Sequence, residues 1–299
     1  MQKKTITKVI RKKMFEWLST ITDKNLAKDV RDNLVVSGGC IASLFLNEDV
    51  NDYDVYITDI SVLERLAIYY TKNHRDITVL NSILKDVYTT VEAYNSYGIS
   101  NQFTMAVDNL KEGQVRLLIG GDQGGTGVNK SNKVEDIEKN KYTPDYFSPN
   151  AISLSNDVQV VTRFSGTVEE IHKSFDFIHA TNYFTMEDGL VTNKEAVESL
   201  LTKQLGYQGS LYPLTSIIRS KKFILRGYKI GAGEYLKIMY QISLLDLNDV
   251  NVLEEQLIGV DVAYFGALIK VLRNVQTKEK DSFKLEQTKL FTLIDEIFN

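Results

Sequence analysis

Apolar and polar positions change rhythm twice along this chain. Residues 5–32 repeat apolar side chains at helical spacing, with Phe15, Leu18, Ile21 and Leu26 in an interrupted stripe among charges. Leu34, Val35 and Val36 make a short apolar run that stops at Ser37-Gly38-Gly39, the pattern of a strand turning into a helix. CIASLFL (40–46) then supplies one or two helical turns, and residues 47–51 are polar and turn-like. Residues 52–57 alternate, with Asp52, Asp54 and Tyr56 on one face and Tyr53, Val55 and Ile57 on the other, as a strand does when one face enters a core.

Helical spacing returns over 61–73 through Leu63, Leu66, Ala67 and Tyr70. The runs ITVL, VYTTVEAY, QFTMAV and QVRLLI between 75 and 119 predict strands, and the Gly- and Asn-rich stretch 119–132 predicts a loop. AISL (151–154) and VQVVTRF (158–164) continue the β pattern. Residues 167–174 fit a short helix with Glu169 and Glu170 in its first turn, and DFIHATNYF (176–184) reads as a strand. From about residue 186 the second change occurs, and the segments NKEAVESLLTKQLG, TSIIRSKKFILRGYKI, EYLKIMYQISLLDL, NVLEEQLIGVDVAYFGALIKVLRN and LEQTKLFTLIDEIF all carry helical spacing. The expected architecture is α/β (α+β): a mixed-sheet core over 1–185, with a β-rich insertion at about 75–150, followed by a helical domain over 186–299.

Composition narrows the function classes. The 299 residues are 43% hydrophobic and 25% charged, as in ordinary soluble globular proteins. No window approaches 18 uninterrupted apolar residues, so no membrane span is expected. The basic start MQKKTITKVIRKKMFEWL has no apolar signal-peptide core and reads as an amphipathic helix. One cysteine excludes an internal disulfide and a cysteine-rich zinc site, which fits a reducing, cytoplasmic setting. Lys and Arg number 35 against 39 Asp and Glu, a net charge of −4, so any nucleic-acid contact must come from a local patch.

Asp52 and Asp54, two residues apart on a strand, place two carboxylates on one face. Such charges repel, and a hard cation such as Mg²⁺ offsets the repulsion. Upstream, Gly38 and Gly39 expose backbone N–H groups at a predicted helix N-terminus, which suits phosphate. The order VVSGG, twelve residues (40–51), then DYDVY resembles the signature of the DNA-polymerase-β-like nucleotidyltransferase superfamily over about 25 residues. More distantly, the block NAISLSNDVQVVTRFSGTVEEIHKSFDFIHATNYF resembles segments of uncharacterised nucleotidyltransferase-like proteins of large bacteriophages.

The first resemblance implies two-metal transfer of a nucleoside monophosphate from an NTP to a hydroxyl acceptor, with Mg²⁺ or Mn²⁺ as cofactor and pyrophosphate as leaving group. It puts Ser37, Gly38 and Gly39 on the phosphates and Asp52 and Asp54 on two metal ions, and it requires a third carboxylate on a later neighbouring strand. Asp176, between two phenylalanines, is the expected third acid, and Asp108 at the end of QFTMAVD is its rival. The acceptor is left open among an RNA or tRNA 3′ end, a protein side chain and a small molecule. No Arg-Arg-Asp tract of the kind found in CCA-adding enzymes is present. The alternatives are a catalytically inactive protein of the same fold that binds or inhibits a host factor, and a cleft that hydrolyses nucleotides without an acceptor. A phage-encoded chain would work in the host cytoplasm.

Other candidates carry weaker signals. Arg219, Lys222, Arg226 and Lys229 recur at three- and four-residue steps and predict a basic helical face for triphosphate or acceptor backbone, or else a solvated face. Ser37 suits either a phosphate contact or the cap of the following helix. Arg163 suits phosphate or a structural ion pair; Tyr207, Tyr212 and Tyr228 are candidates for stacking on a base. His179 is expected to be packed, His172 to lie on a solvated helix face and Cys40 to be a buried small hydrophobe rather than a reactive thiol at a helix N-terminus. GGDQGGTG (120–127) lacks the Lys-Ser/Thr of a P-loop and reads as a hairpin tip or loop.

Overall fold

The structure, a computed structural model, describes residues 1–72, 77–81, 114–119, 126–127, 141–247, 249, 252, 255 and 256. Asp108, the runs VYTTVEAY and QFTMAV, most of GGDQGGTG, most of the segment 251–274 and all of LEQTKLFTLIDEIF lie outside the described residues. The chain divides into two compact units. The first comprises Met1–Ser174 and His179–Leu200, and the second takes Phe175–Ile178 together with the chain from Leu201 onward.

The first unit opens with α1 (Lys3–Thr20) and α2 (Lys24–Asn33), where the sequence pattern predicts one continuous stretch. The break has a local cause: the Asp23 carboxylate accepts from the backbone N–H groups of Asn25 and Leu26 and so starts a new helix. β1 (Leu34–Ser37), α3 (Gly39–Leu46) and β2 (Tyr53–Ile57) follow as the pattern predicts. Next come α4 (Ile60–Thr71), capped by Asp59, and the antiparallel ribbon of β3 (Ile77–Asn81) and β4 (Val115–Ile119). The unit continues through β5 (Thr126–Gly127), β6 (Pro144–Ser148), β7 (Ala151–Leu154) and β8 (Val158–Val161). α5 (Val168–His172) begins at a capping box made by Thr167 and Glu170. β9 (Tyr183–Thr185), β10 (Gly189–Val191) and α6 (Lys194–Thr202) complete the described order up to the second unit.

Eight of these strands form one sheet in the order β10-β9-β1-β2-β8-β7-β6-β5. All its neighbours are antiparallel except β2 and β8, which run parallel, so the sheet is mixed. Cross-strand register aligns Leu190, Phe184, Val36, Val55, Val160, Ile152 and Phe147 in one row. Opposed residues share a face, and every member of this row is buried. The row joins a single apolar core with Ile6, Ile10, Met14 and Trp17 of α1 and with the inward sides of α2, α3 and α4. Burial of these side chains, at roughly 25 cal/mol per Å² of apolar surface, is the main force that assembles helices on this face.

The second unit contains β11 (Gln204–Leu205) parallel to β12 (Lys229–Ile230), α7 (Pro213–Leu225) and α8 (Ala232–Ser243). Tyr207, Phe177, Phe223 and Tyr228 meet in successive edge-to-face contacts at 5.6–5.9 Å. Tyr207, Tyr212 and Tyr228, the candidates for stacking on a base, are all buried.

Two expectations are corrected here. DFIHATNYF is not one strand: Phe177 makes an isolated bridge to Tyr207, Ile178–Ala180 is a 3-10 turn, and only Tyr183–Thr185 pairs in the sheet. The basic face over 219–229 is also interrupted. α7 stops at Leu225, Gly227 adopts a φ of +83°, and Lys229 lies on β12.

Candidate functional site

The sheet's other face carries a different row. Tyr183 pairs with Ser37, Asp54 with Gln159, Gln159 with Ser153, and Ser153 with Tyr146. Continuing the antiparallel β1–β2 register by one step sets Ser37 across from Asp54. A polar row therefore crosses six strands on this face, from β9 to β6. Its middle is Asp54, half-buried on β2.

The Ser37-Gly38-Gly39 turn reaches this row at the end of β1. Gly38 caps α3 with a φ of +94° and a ψ of −148°, a backbone that L side chains rarely adopt. A Cβ at this position would also lie 3.3 Å from Oδ2 of Asp54. The Asp54 carboxylate is thus seated against the turn. Gly39 is exposed, and a Cβ built on it would meet nothing within 4 Å among the described residues. The N-terminus of α3 therefore opens onto free space beside that carboxylate, and its first N–H groups have no partner within the helix.

The turn is braced from a distant part of the chain. The Gly38 N–H donates to the Ala180 carbonyl at 3.1 Å. The fully buried Ser37 hydroxyl donates to the Asn182 carbonyl at 2.9 Å and lies 2.9 Å from Nε2 of His172. With the hydroxyl proton on Asn182, a proton on His172 Nε2 satisfies both groups. Ser37 does not cap α3, because Gly38 holds that position and its helix has no side-chain cap. His172 is not on a solvated face: it is half-buried, and its ring meets Tyr183 edge-on at 5.8 Å. Desolvation pushes the His172 pKa below its ordinary 6.5, partly opposed by nearby Glu169. No local sequence signal could place it here, since 135 residues separate it from Ser37.

Cys40 is buried behind the turn, with Sγ 3.7 Å from the Ser37 carbonyl. Burial first, and then the charge of Asp54, pushes its thiol pKa up, so it is not an activated nucleophile. Asp52 is exposed and stands one residue before β2 begins. It has the same strand parity as Asp54. Arg163 is buried, and its guanidinium donates to the Asn150 side chain at 3.4 Å. His179 is buried, as expected.

Asp176 belongs to the second unit. Its side chain is buried; Ser210 donates to Oδ1 at 2.7 Å and Arg219 to Oδ2 at 2.7 Å. Lys222 and Arg226 are exposed, the first on α7 and the second at its C-cap. Within that unit, Asp176 orients Arg219.

The donor set around the turn suits a hard divalent cation. Mg²⁺ typically takes one or two carboxylates and leaves its other positions to phosphate oxygens and water. Asp52 and Asp54 match that demand, and among the described residues the glycine turn leaves room beside Asp54. Among the described residues no group of three or more His, Cys, Asp or Glu gathers closely enough to hold a metal ion unaided.

These features define an α/β protein in which a strand–Gly-Gly–helix turn faces a carboxylate on the neighbouring strand of a mixed sheet. The Gad2 family, Gabija anti-defense 2 family proteins, matches residues 8–203, more than half of the 299, and the chain belongs to that family. No curated protein matches the chain. Among solved structures, the Thermotoga maritima CCA-adding enzyme complexed with tRNA is similar at 12% identity and a TM-score of 0.38, covering 89% of this chain and 56% of its own. The Bacillus stearothermophilus CCA-adding enzyme with CTP is similar at 10% identity and a TM-score of 0.37, covering 86% of this chain and 52% of its own. A CCA-adding enzyme with ATP is similar at 12% identity and a TM-score of 0.41, covering 97% of this chain and 71% of its own. The chain spans little more than half the length of the first two.

Proposed function

We propose that this anti-defence protein works as a divalent-metal-dependent nucleotidyltransferase. The observation that carries this reading is the seating of the Asp54 carboxylate against Gly38, beside the open N-terminus of α3. In this reading the N–H groups at the start of α3 hold the β- and γ-phosphates of an NTP. Ser37, tied to Asn182 and His172, keeps the end of β1 and hence the turn in place. Asp52 and Asp54 would hold the cation. Mg²⁺ or Mn²⁺, when bound, supplies charge neutralisation and lowers the pKa of the acceptor hydroxyl. That hydroxyl attacks the α-phosphorus, the bond to the bridging oxygen breaks, pyrophosphate leaves, and the hydroxyl proton passes to solvent. Arg219, held by Asp176, and the exposed Lys222 and Arg226, all of the second unit, are assigned to phosphate binding.

The acceptor belongs to the process that the family opposes: an RNA end, a protein side chain or a small molecule of the Gabija defence. No described helix is long and apolar enough to cross a membrane, and a phage-encoded chain would act in the host cytoplasm. A second reading is favoured by family membership together with the full occupation of Asp176 by Ser210 and Arg219. In it, the fold binds and inhibits a defence component without chemistry.

One experiment separates the two. The protein is incubated with Mg²⁺, labelled NTPs and extract from Gabija-bearing cells. The enzyme reading expects label on a product, reduced at least roughly 100-fold by Asp52→Ala or Asp54→Ala. Protection against Gabija that survives both substitutions, without label transfer by the unaltered protein, overturns it in favour of binding. Pyrophosphate released with no labelled product points instead to hydrolysis.

A further inference from the structure

We infer that Gln159 supplies a third oxygen donor to the cation held by Asp52 and Asp54, a neutral one in the place of a third carboxylate. This inference rests on the reading of the site given above. β8 is the strand that runs parallel beside β2, and Gln159 is the residue directly opposite Asp54. Residues so paired stand on one face with Cβ atoms roughly 5 Å apart, within reach of one shared ion. The alternation along β8 confirms the face: Val158 and Val160 enter the core, while Gln159 is half-buried.

The amide is already oriented. Its Nε2 donates to the Ser153 hydroxyl at 3.3 Å, on the β7 side away from β2. The same bond leaves the carbonyl oxygen as the amide's outward acceptor, and among the described residues Oε1 receives no hydrogen bond. Glutamine carbonyls are ordinary ligands of hard cations. The expected third acid, Asp176, has both oxygens engaged by Ser210 and Arg219. The strand next to β2 therefore offers an amide where a carboxylate was expected.

Charge makes this assignment testable. Two carboxylates and an amide carry one negative charge fewer than three carboxylates, so the protein alone should hold a cation weakly. The triphosphate of an NTP would then complete the site. Mn²⁺ binding to the full-length protein, followed by electron paramagnetic resonance and calorimetry, is measured with and without a non-hydrolysable NTP.

Gln159→Glu changes the charge and keeps the size. It should tighten Mn²⁺ binding to the nucleotide-free protein by roughly tenfold, because ligand charge sets cation affinity. Gln159→Leu should weaken Mn²⁺ binding in the nucleotide complex by a similar factor. Both substitutions lie outside the apolar core, and a melting curve for each variant shows whether it folds. If both bind Mn²⁺ like the unaltered protein while Asp54→Asn loses it, Gln159 is not a ligand and the reading of the site stands. If the unaltered protein binds no Mn²⁺ with or without the nucleotide, the reading of the site itself falls.

Discussion

The two faces of the large sheet are built from the same strands, yet they are opposites. One row runs Leu190, Phe184, Val36, Val55, Val160, Ile152, Phe147, and every member is buried. The adjacent row runs Tyr183, Ser37, Asp54, Gln159, Ser153, Tyr146, and every member has a hydrogen-bonding side chain. One residue of register separates them. A slip of one position would turn the aspartate into the core and the valines outward, so the apolar row fixes the position of the chemistry. Stability and site geometry in this protein are two sides of one register.

That contrast can be broken first on its apolar side. Phe184→Ala removes a fully buried ring from the apolar row. It should cost about 3–5 kcal/mol of stability, read by urea denaturation. Ser153→Ala on the polar row should change stability by less than about 1 kcal/mol. Equal losses from the two would show that the faces are not energetically distinct.

A smaller effect is expected at the junction of the rows. Gly38→Ala places a Cβ on a backbone with a φ of +94° and 3.3 Å from the Asp54 carboxylate. It should cost about 1–3 kcal/mol and lower the affinity for an NTP. Gly39→Ala, whose Cβ meets nothing within 4 Å among the described residues, should leave stability nearly unchanged. Indistinguishable melting curves for the two alanine variants would remove Gly38 from the account.

The smallest expected effect is a pH dependence. The folded-state pKa of His172 lies below 6.5 because burial disfavours its charged form. Between that depressed value and 6.5 the unfolded chain binds a proton that the folded chain does not, so stability falls as the pH drops through this window and is full above it. His172→Asn should flatten the difference in melting temperature between pH 7.5 and pH 5. An unchanged difference would mean that other groups cause it.

The pattern of residues made part of this legible. Leu34 to Val36, the two glycines and the alternation after Asp52 are local signals, and they correctly predicted β1, α3 and β2 in order. The short helix after Thr167 was likewise legible, with Glu169 and Glu170 in its first turn. What was not legible depends on register and on distance along the chain. Gln159 shows as an outward residue of an alternating strand, but nothing nearby says that its strand runs beside Asp54. His172 resembles any polar helix residue until Asn182 and Ser37 are brought to it. The texture around Asp176 suggested a strand, whereas the Ile178–Ala180 turn and the bond to Arg219 draw it into a different unit. The end of α7 could have been anticipated, because Gly227 is a recognisable helix stop.

The brace on Ser37 also sets a timetable for synthesis. The serine leaves the ribosome 145 residues ahead of the asparagine carbonyl that receives its hydroxyl, a lag of roughly 7–30 s at ordinary translation speeds. Until then neither the Asn182 carbonyl nor the Ala180 carbonyl is there to hold the glycine loop. A nascent chain halted before residue 180 would hold both aspartates and both glycines and still lack the two carbonyls, of Ala180 and Asn182, that receive the loop's hydrogen bonds.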